Sequence, residues 1–146
     1  MKKQIAVALA VALMAAAMAA GQCYAQRPTS RADIPFAFQV ANQTMPAGEY
    51  LIERVSDTHL RAQMIRRTDS SAAAVAVTFA VDAKNGKSEP KLVFHKYGNS
   101  YFLSEIWTGR AEGRHLLVSK REKELASETP GSEVAVSLQS VSERGL

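Results

Sequence analysis

Lys91-Leu92-Val93-Phe94-His95-Lys96-Tyr97, then Gly98-Asn99, then Ser100-Tyr101-Phe102-Leu103-Ser104-Glu105-Ile106-Trp107: two runs rich in aromatic and branched side chains flank a turn dipeptide. Glycine at the first position of a two-residue loop suits the turn whose twist matches antiparallel strands, so the stretch predicts a β-hairpin. A three-residue loop, Gly98-Asn99-Ser100, would shift the pairing by one residue, which leaves the register open. In either register Phe94, Tyr97, Tyr101, Phe102 and Trp107 divide between both faces. One face suffices for a core. Coverage of the other by the C-terminal segment is expected, and the alternative is a ring surface of Tyr97, Tyr101 and Trp107 for a glycan or peptide.

Period-two alternation extends outward from this hairpin through most of the chain. Ile34, Phe36, Phe38 and Val40 share one side of a first strand. Pro35 lies within it and cannot donate a ladder hydrogen bond, so the strand is expected at a sheet edge, or paired only beyond the proline. A turn at Met45-Pro46-Ala47-Gly48 leads to a strand over residues 49–55, and Ser56-Asp57-Thr58 separates another over 59–66, in which Leu60, Ala62 and Met64 share a face opposite Arg61, Gln63 and Ile65. Residues 74–81 place Val75, Val77, Phe79 and Val81 on one face and only small residues on the other, where something must pack closely. Gly109 to Gly113 breaks the pattern. Ser119 and Glu122 have the spacing of a capping box, which predicts a short helix to about Ser127, anchored by Leu125 and stopped by Pro130-Gly131. Val134, Val136 and Leu138 form the last alternating set. The sum is an all-β domain of about seven strands with one short C-terminal helix, a single antiparallel β-sandwich or a partly closed barrel. The crossover helices of an α/β design are missing.

The start of the chain is of another kind. Lys2 and Lys3, an unbroken apolar run from Ile5 to Ala20, and Gly21-Gln22-Cys23-Tyr24-Ala25 read as a signal peptide over 1–25, cut after Ala25. The run is too short and too rich in alanine for a retained transmembrane anchor. Gln22 stands where a lipid-attachment signal needs a small residue. Cleavage removes the only cysteine, whereas a cut after Ala19 or Ala20 would leave Cys23 without an intrachain partner. The expected product is exported, periplasmic or extracellular. Residues 26–146 then make a single β-rich domain, loose over 26–31, which must hold itself by packing and backbone pairing without disulfides.

Of 18 basic residues against 14 acidic ones, Lys2 and Lys3 leave with the leader, and the near balance of the rest argues against a nucleic-acid partner. His59, His95 and His115 fall in three separate segments with no local ligand pair, so no metal site is assigned. There is no G-x-S-x-G elbow, and Glu49 and Glu53 fit an exposed strand face without catalysis. Gly109-Arg110-Ala111-Glu112-Gly113 matches no phosphate loop. With no catalytic or cofactor-binding residue to name, the expectation is a non-catalytic structural or ligand-binding or partner-binding β domain of the bacterial cell envelope. The chief rival is a secreted hydrolase assembled from distant segments; two of the three histidines gathered with a carboxylate in one pocket would favour it. Self-association through an open edge at Pro35 is a third reading.

Ile34-Pro35-Phe36-Ala37-Phe38, Met45 through Tyr50, Lys91 through Gly98, Tyr101 through Trp107 and Ser119 through Leu125 resemble the recurring blocks of a family of small exported bacterial proteins. That family is frequent in acidobacterial genomes and carried as hypothetical. The resemblance spans most of residues 26–146 in the same order, and it implies a bacterial, exported, single-domain protein with no established activity to carry over. Met45 stands where the family's turn block commonly has leucine, a volume-conserving change.

Overall fold

In the computed structural model, which describes residues 28–141 together with Lys3 and Gln4, Gly98 turns at φ +59° and Tyr97 faces Ser100 across a two-residue loop. The hairpin register left open by the sequence is thereby fixed. The signal-peptide reading of residues 1–25 falls, save for Lys3 and Gln4, outside the described residues.

Strands β1 (Thr29–Ile34), β2 (Phe38–Val40), β3 (Gln43–Met45) and β4 (Gly48–Arg54) come first, followed by β5 (Ala62–Arg67) and β6 (Ala73–Asp82). The hairpin is β7 (Lys91–Tyr97) and β8 (Ser100–Trp107); β9 (Glu112–Leu116), helix α1 (Lys120–Glu128), β10 (Gly131–Ser137) and β11 (Gln139–Val141) complete the order. The protein is mostly β, an open mixed sheet in the order β10-β7-β8-β9-β6-β5-β4-β1-β11. Off that path, β2 pairs with β3 and, through one parallel bridge from Gln39 to Phe102, with β8.

Among the described residues eleven strands replace the expected seven or so, and each difference has a local cause. Pro35 ends a strand instead of lying inside one: β1 pairs with β4 as far as Ile34, and the chain resumes as β2 against different neighbours. Since β1 is paired on both sides, by β4 and β11, the expected edge position is corrected. Thr29 to Arg31, expected loose, are held in that ladder. β3 and β9 carry too few apolar side chains to show alternation. The edges of the path are β10 and β11, which are consecutive in the chain and separated by Leu138 alone.

One core draws on strands from both ends of the path, including Ile34, Phe38, Tyr50, Ile52, Ile65, Leu92 and Phe94. β6 joins the two halves, pairing with β5 up to Val77 and with β9 from Thr78 onward. Its small residues Ala74 and Ala76 turn into the core, as the close packing inferred for that face requires, and the Thr78 hydroxyl donates to the Arg61 carbonyl (2.9 Å). The bulky side of β6 faces out, leaving Val75 53% and Val77 60% exposed.

In the hairpin, Val93 opposes Glu105 but Phe94 opposes Leu103, so Ser104 is the extra residue of a β-bulge. The irregularity lets Leu103 and Ile106 both join the core and places Ser104 beside His95. Ser119 caps α1 as predicted, its hydroxyl accepting from the Glu122 amide (3.2 Å). The buried residue of the helix is Glu122 and not the expected anchor Leu125, which is only partly covered. Among the described residues no helix is long and apolar enough to cross a membrane.

Candidate functional site

The three rings singled out by the sequence stand apart from one another. Tyr101 lies on the core side, stacked on Phe36 with ring centroids 3.8 Å apart. Tyr97 is on the opposite face, where its hydroxyl donates to Glu122 Oε1 (3.3 Å). Trp107 is 7% exposed at the far end of the hairpin, its indole N–H donating to Glu105 (2.7 Å). A Cβ at Gly113 would approach that indole to 2.5 Å, so β9 can pass the ring only as glycine. Each ring is thus engaged within the chain, and the C-terminal helix covers part of the outer face.

That helix brings together a polar group on the outer face. Glu122 Oε1 lies 2.6 Å from His95 Nδ1, and His95 Nε2 lies 3.0 Å from Ser104 Oγ. With Glu122 ionised, Nδ1–H donates to the carboxylate and Nε2 accepts the serine proton. Burial and the neighbouring carboxylate, in that order, raise the Tyr97 phenol above its ordinary pKa of 10.0, which keeps it a donor. Serine, histidine and glutamate in this sequence of bonds are the parts of a nucleophilic triad. They are also what a buried carboxylate needs in order to fasten a helix to a sheet. The capping-box glutamate has been diverted from its own helix end to do so. His59 and His115 lie elsewhere, the first bonded to Ser56 and Thr58, the second against the Phe79 ring. Among the described residues no three His, Cys, Asp or Glu side chains gather as a metal site.

A second arrangement occupies one end of the core. Strands β4 and β5 run their core-facing series past Ile52 and Ile65 to Arg54 and Gln63, which are cross-strand partners. Beyond them opens a cleft of about 610 Å³, within the range of small-molecule sites. Ile52 and Ile106, both buried, form its apolar floor, and Leu60, 48% exposed, stands at its rim. Gln63 is 8% exposed as a whole residue, and its side-chain amide, which has no partner among the described residues, keeps its access to solvent in the cleft. Arg54, and Arg110 from the loop between β8 and β9, likewise have no ion pair there, whereas Arg114 is neutralised by Glu112 (2.9 Å). Three arginines and one glutamate leave the cleft positive. A smaller cavity of about 240 Å³ near β1 and β11 differs in having its arginine spent, since Arg31 pairs with Glu49 at 3.2 Å.

The cleft was missed by reasoning from motifs, because its residues come from β1, β4, β5, β8, β9 and β11 and form no local pattern. The available signal was the polar end of two core-facing series, Tyr50-Ile52-Arg54 and Ile65-Gln63. Compared with known proteins, the chain matches no family model, no curated protein and no solved structure.

Proposed function

We propose that this is an exported, non-catalytic binding domain of the bacterial envelope, a partly closed β-barrel whose edges meet at Leu138 and whose open end seats a small ligand. The observation that carries this reading is the 610 Å³ cleft itself, into whose wall Gln63, Arg54 and Arg110 bring donors that no side chain among the described residues takes up. No side-chain nitrogen or oxygen among the described residues is buried without a partner, so the Gln63 amide meets water in the cleft, where a ligand can take that water's place. The signal-peptide reading of residues 1–25 supports a periplasmic or extracellular domain, and mass spectrometry of the exported fraction should find an N-terminus at Gln26.

The test is a thermal-shift screen of the purified protein against glycans, peptides and amphiphiles. A compound bound only by the native state raises the melting temperature. At least one class should do so, and Gln63→Leu should abolish the rise without lowering the melting temperature of the free protein. A flat response to every class sinks the binding reading.

The secreted-hydrolase alternative is favoured by one observation, the Ser104-His95-Glu122 sequence of hydrogen bonds. Labelling with a fluorophosphonate decides it: a binding domain stays unlabelled, whereas stoichiometric labelling lost in Ser104→Ala would establish the hydrolase.

A further inference from the structure

The binding reading leaves the ligand's chemistry open, and the cleft wall narrows it. We infer that the cleft takes a single amphiphile with an anionic headgroup and an aliphatic chain, an inference that rests on the binding reading of the same site.

Two independent features point there. The first is charge. Arg54 and Arg110 are uncompensated among the described residues, while the acid at the site, Glu112, is already taken by Arg114. A guanidinium presents a planar fork of donors that fits a carboxylate or a phosphate, and such charge-assisted bonds are the strong ones. Arg54 and Gln63 are direct cross-strand partners, so guanidinium and amide are offered side by side to one headgroup. The second is the floor. Ile52 and Ile106 close the core below these polar tips, and Leu60 leaves nearly half its surface exposed at the rim. A small hydrophilic anion would use the arginines and leave that apolar surface in water, while a neutral hydrocarbon would bury it and leave two cations and an amide unanswered. A molecule with both parts satisfies both features.

Carboxylate and phosphate headgroups share this chemistry, and the experiment separates them. Dodecanoate, dodecyl phosphate and dodecyltrimethylammonium, each below its micellar concentration, are titrated calorimetrically into the purified protein, with acetate and inorganic phosphate as headgroups without chains. One or both anionic amphiphiles should bind one to one, the tighter of the two naming the headgroup. The cationic amphiphile and the chainless anions should bind roughly tenfold or more weakly. Arg54→Ala/Arg110→Ala should weaken the anionic amphiphile roughly tenfold to a hundredfold, since each lost charge-assisted bond is worth about 1.5–3 kcal/mol. Neither arginine has a partner to lose, so the variant's thermal melt should match the parent's. Equal binding of all three amphiphiles, unaffected by the arginine changes, overturns the anionic assignment but leaves a binding domain standing. Binding confined to a glycan or a peptide in the wider screen does the same. No binding by any class fails both readings together.

Discussion

The two ends of the core treat their polar atoms in opposite ways. At one end Phe36, Phe38, Phe94 and Tyr101 interlock edge to face and in a stack, and the Tyr50 hydroxyl, fully buried, donates to the Pro46 carbonyl at 2.6 Å. That end is sealed, with its polar atom satisfied by the chain itself. At the other end the Gln63 amide opens onto the cleft and has no such partner within the described residues, and Arg54 beside it has none either. The same strands, β4 and β5, serve both ends. What differs is the last core-facing residue of each, so a fold held by one continuous core can be closed at one mouth and receptive at the other.

Substitutions should separate the ends by size of effect. Phe94→Ala removes a ring at the centre of the sealed end, and denaturant unfolding should show a loss of about 3–5 kcal/mol, the usual range for truncating a buried aromatic. His95→Ala on the outer face strips the buried Glu122 of its closest partner. The loss should be about 2–3 kcal/mol, toward the lower side of what breaking a buried pair costs because His95 is itself partly exposed.

Tyr50→Phe keeps the ring and deletes the bond to Pro46, costing about 1 kcal/mol near neutral pH. Burial is the main cause that holds the Tyr50 phenol above its ordinary 10.0, with Asp69 adding to the rise and Arg67 opposing it. A folded pKa above the unfolded one means the stability is present in full below about pH 10 and is lost as pH climbs through the folded value. Melting temperatures across that alkaline window should fall less steeply in Tyr50→Phe than in the parent. Tyr97, raised by burial and by Glu122, supplies a share of the fall that this substitution leaves in place. The smallest effect belongs to Gln63→Leu, which should leave the stability of the free protein nearly unchanged, because the amide it removes makes no hydrogen bond within the described residues and is replaced by a side chain of similar size. A loss as large as that of Tyr50→Phe would show that Gln63 is an ordinary structural residue and would erase the contrast.

Much of the sheet is legible from alternation. The hairpin, the helix and its cap, and the strands carrying Ile52 and Val136 follow from spacing alone, whereas in β5 the face expected from Leu60, Ala62 and Met64 is corrected: Gln63 and Ile65 are the buried pair, because Ile65 stands opposite Ile52 in the ladder. The rest is hidden for physical reasons. Pro35 ends a ladder or marks an edge with equal local logic, and only the long-range partners Gly48 and Gln139 show which applies. The alternation in β6 is legible, but the inward direction of its small side chains is set by the crowding where two halves of the sheet meet. Glu122 is visible as a capping residue, while its bond to His95 depends on where the helix lands. The candidate cleft is the least legible part, since a site made from strand ends has no spacing of its own.

The most direct test of the contrast between the ends is isotope-edited NMR of the protein with bound dodecanoate, locating the alkyl chain through proton contacts with methyl groups. Contacts with the methyls of Ile52, Ile106 and Leu60, and none with Val75 or Val77, are expected of a chain held in the open end. Contacts confined to the exposed valines of β6, or to Met45 at the sealed end, would contradict it.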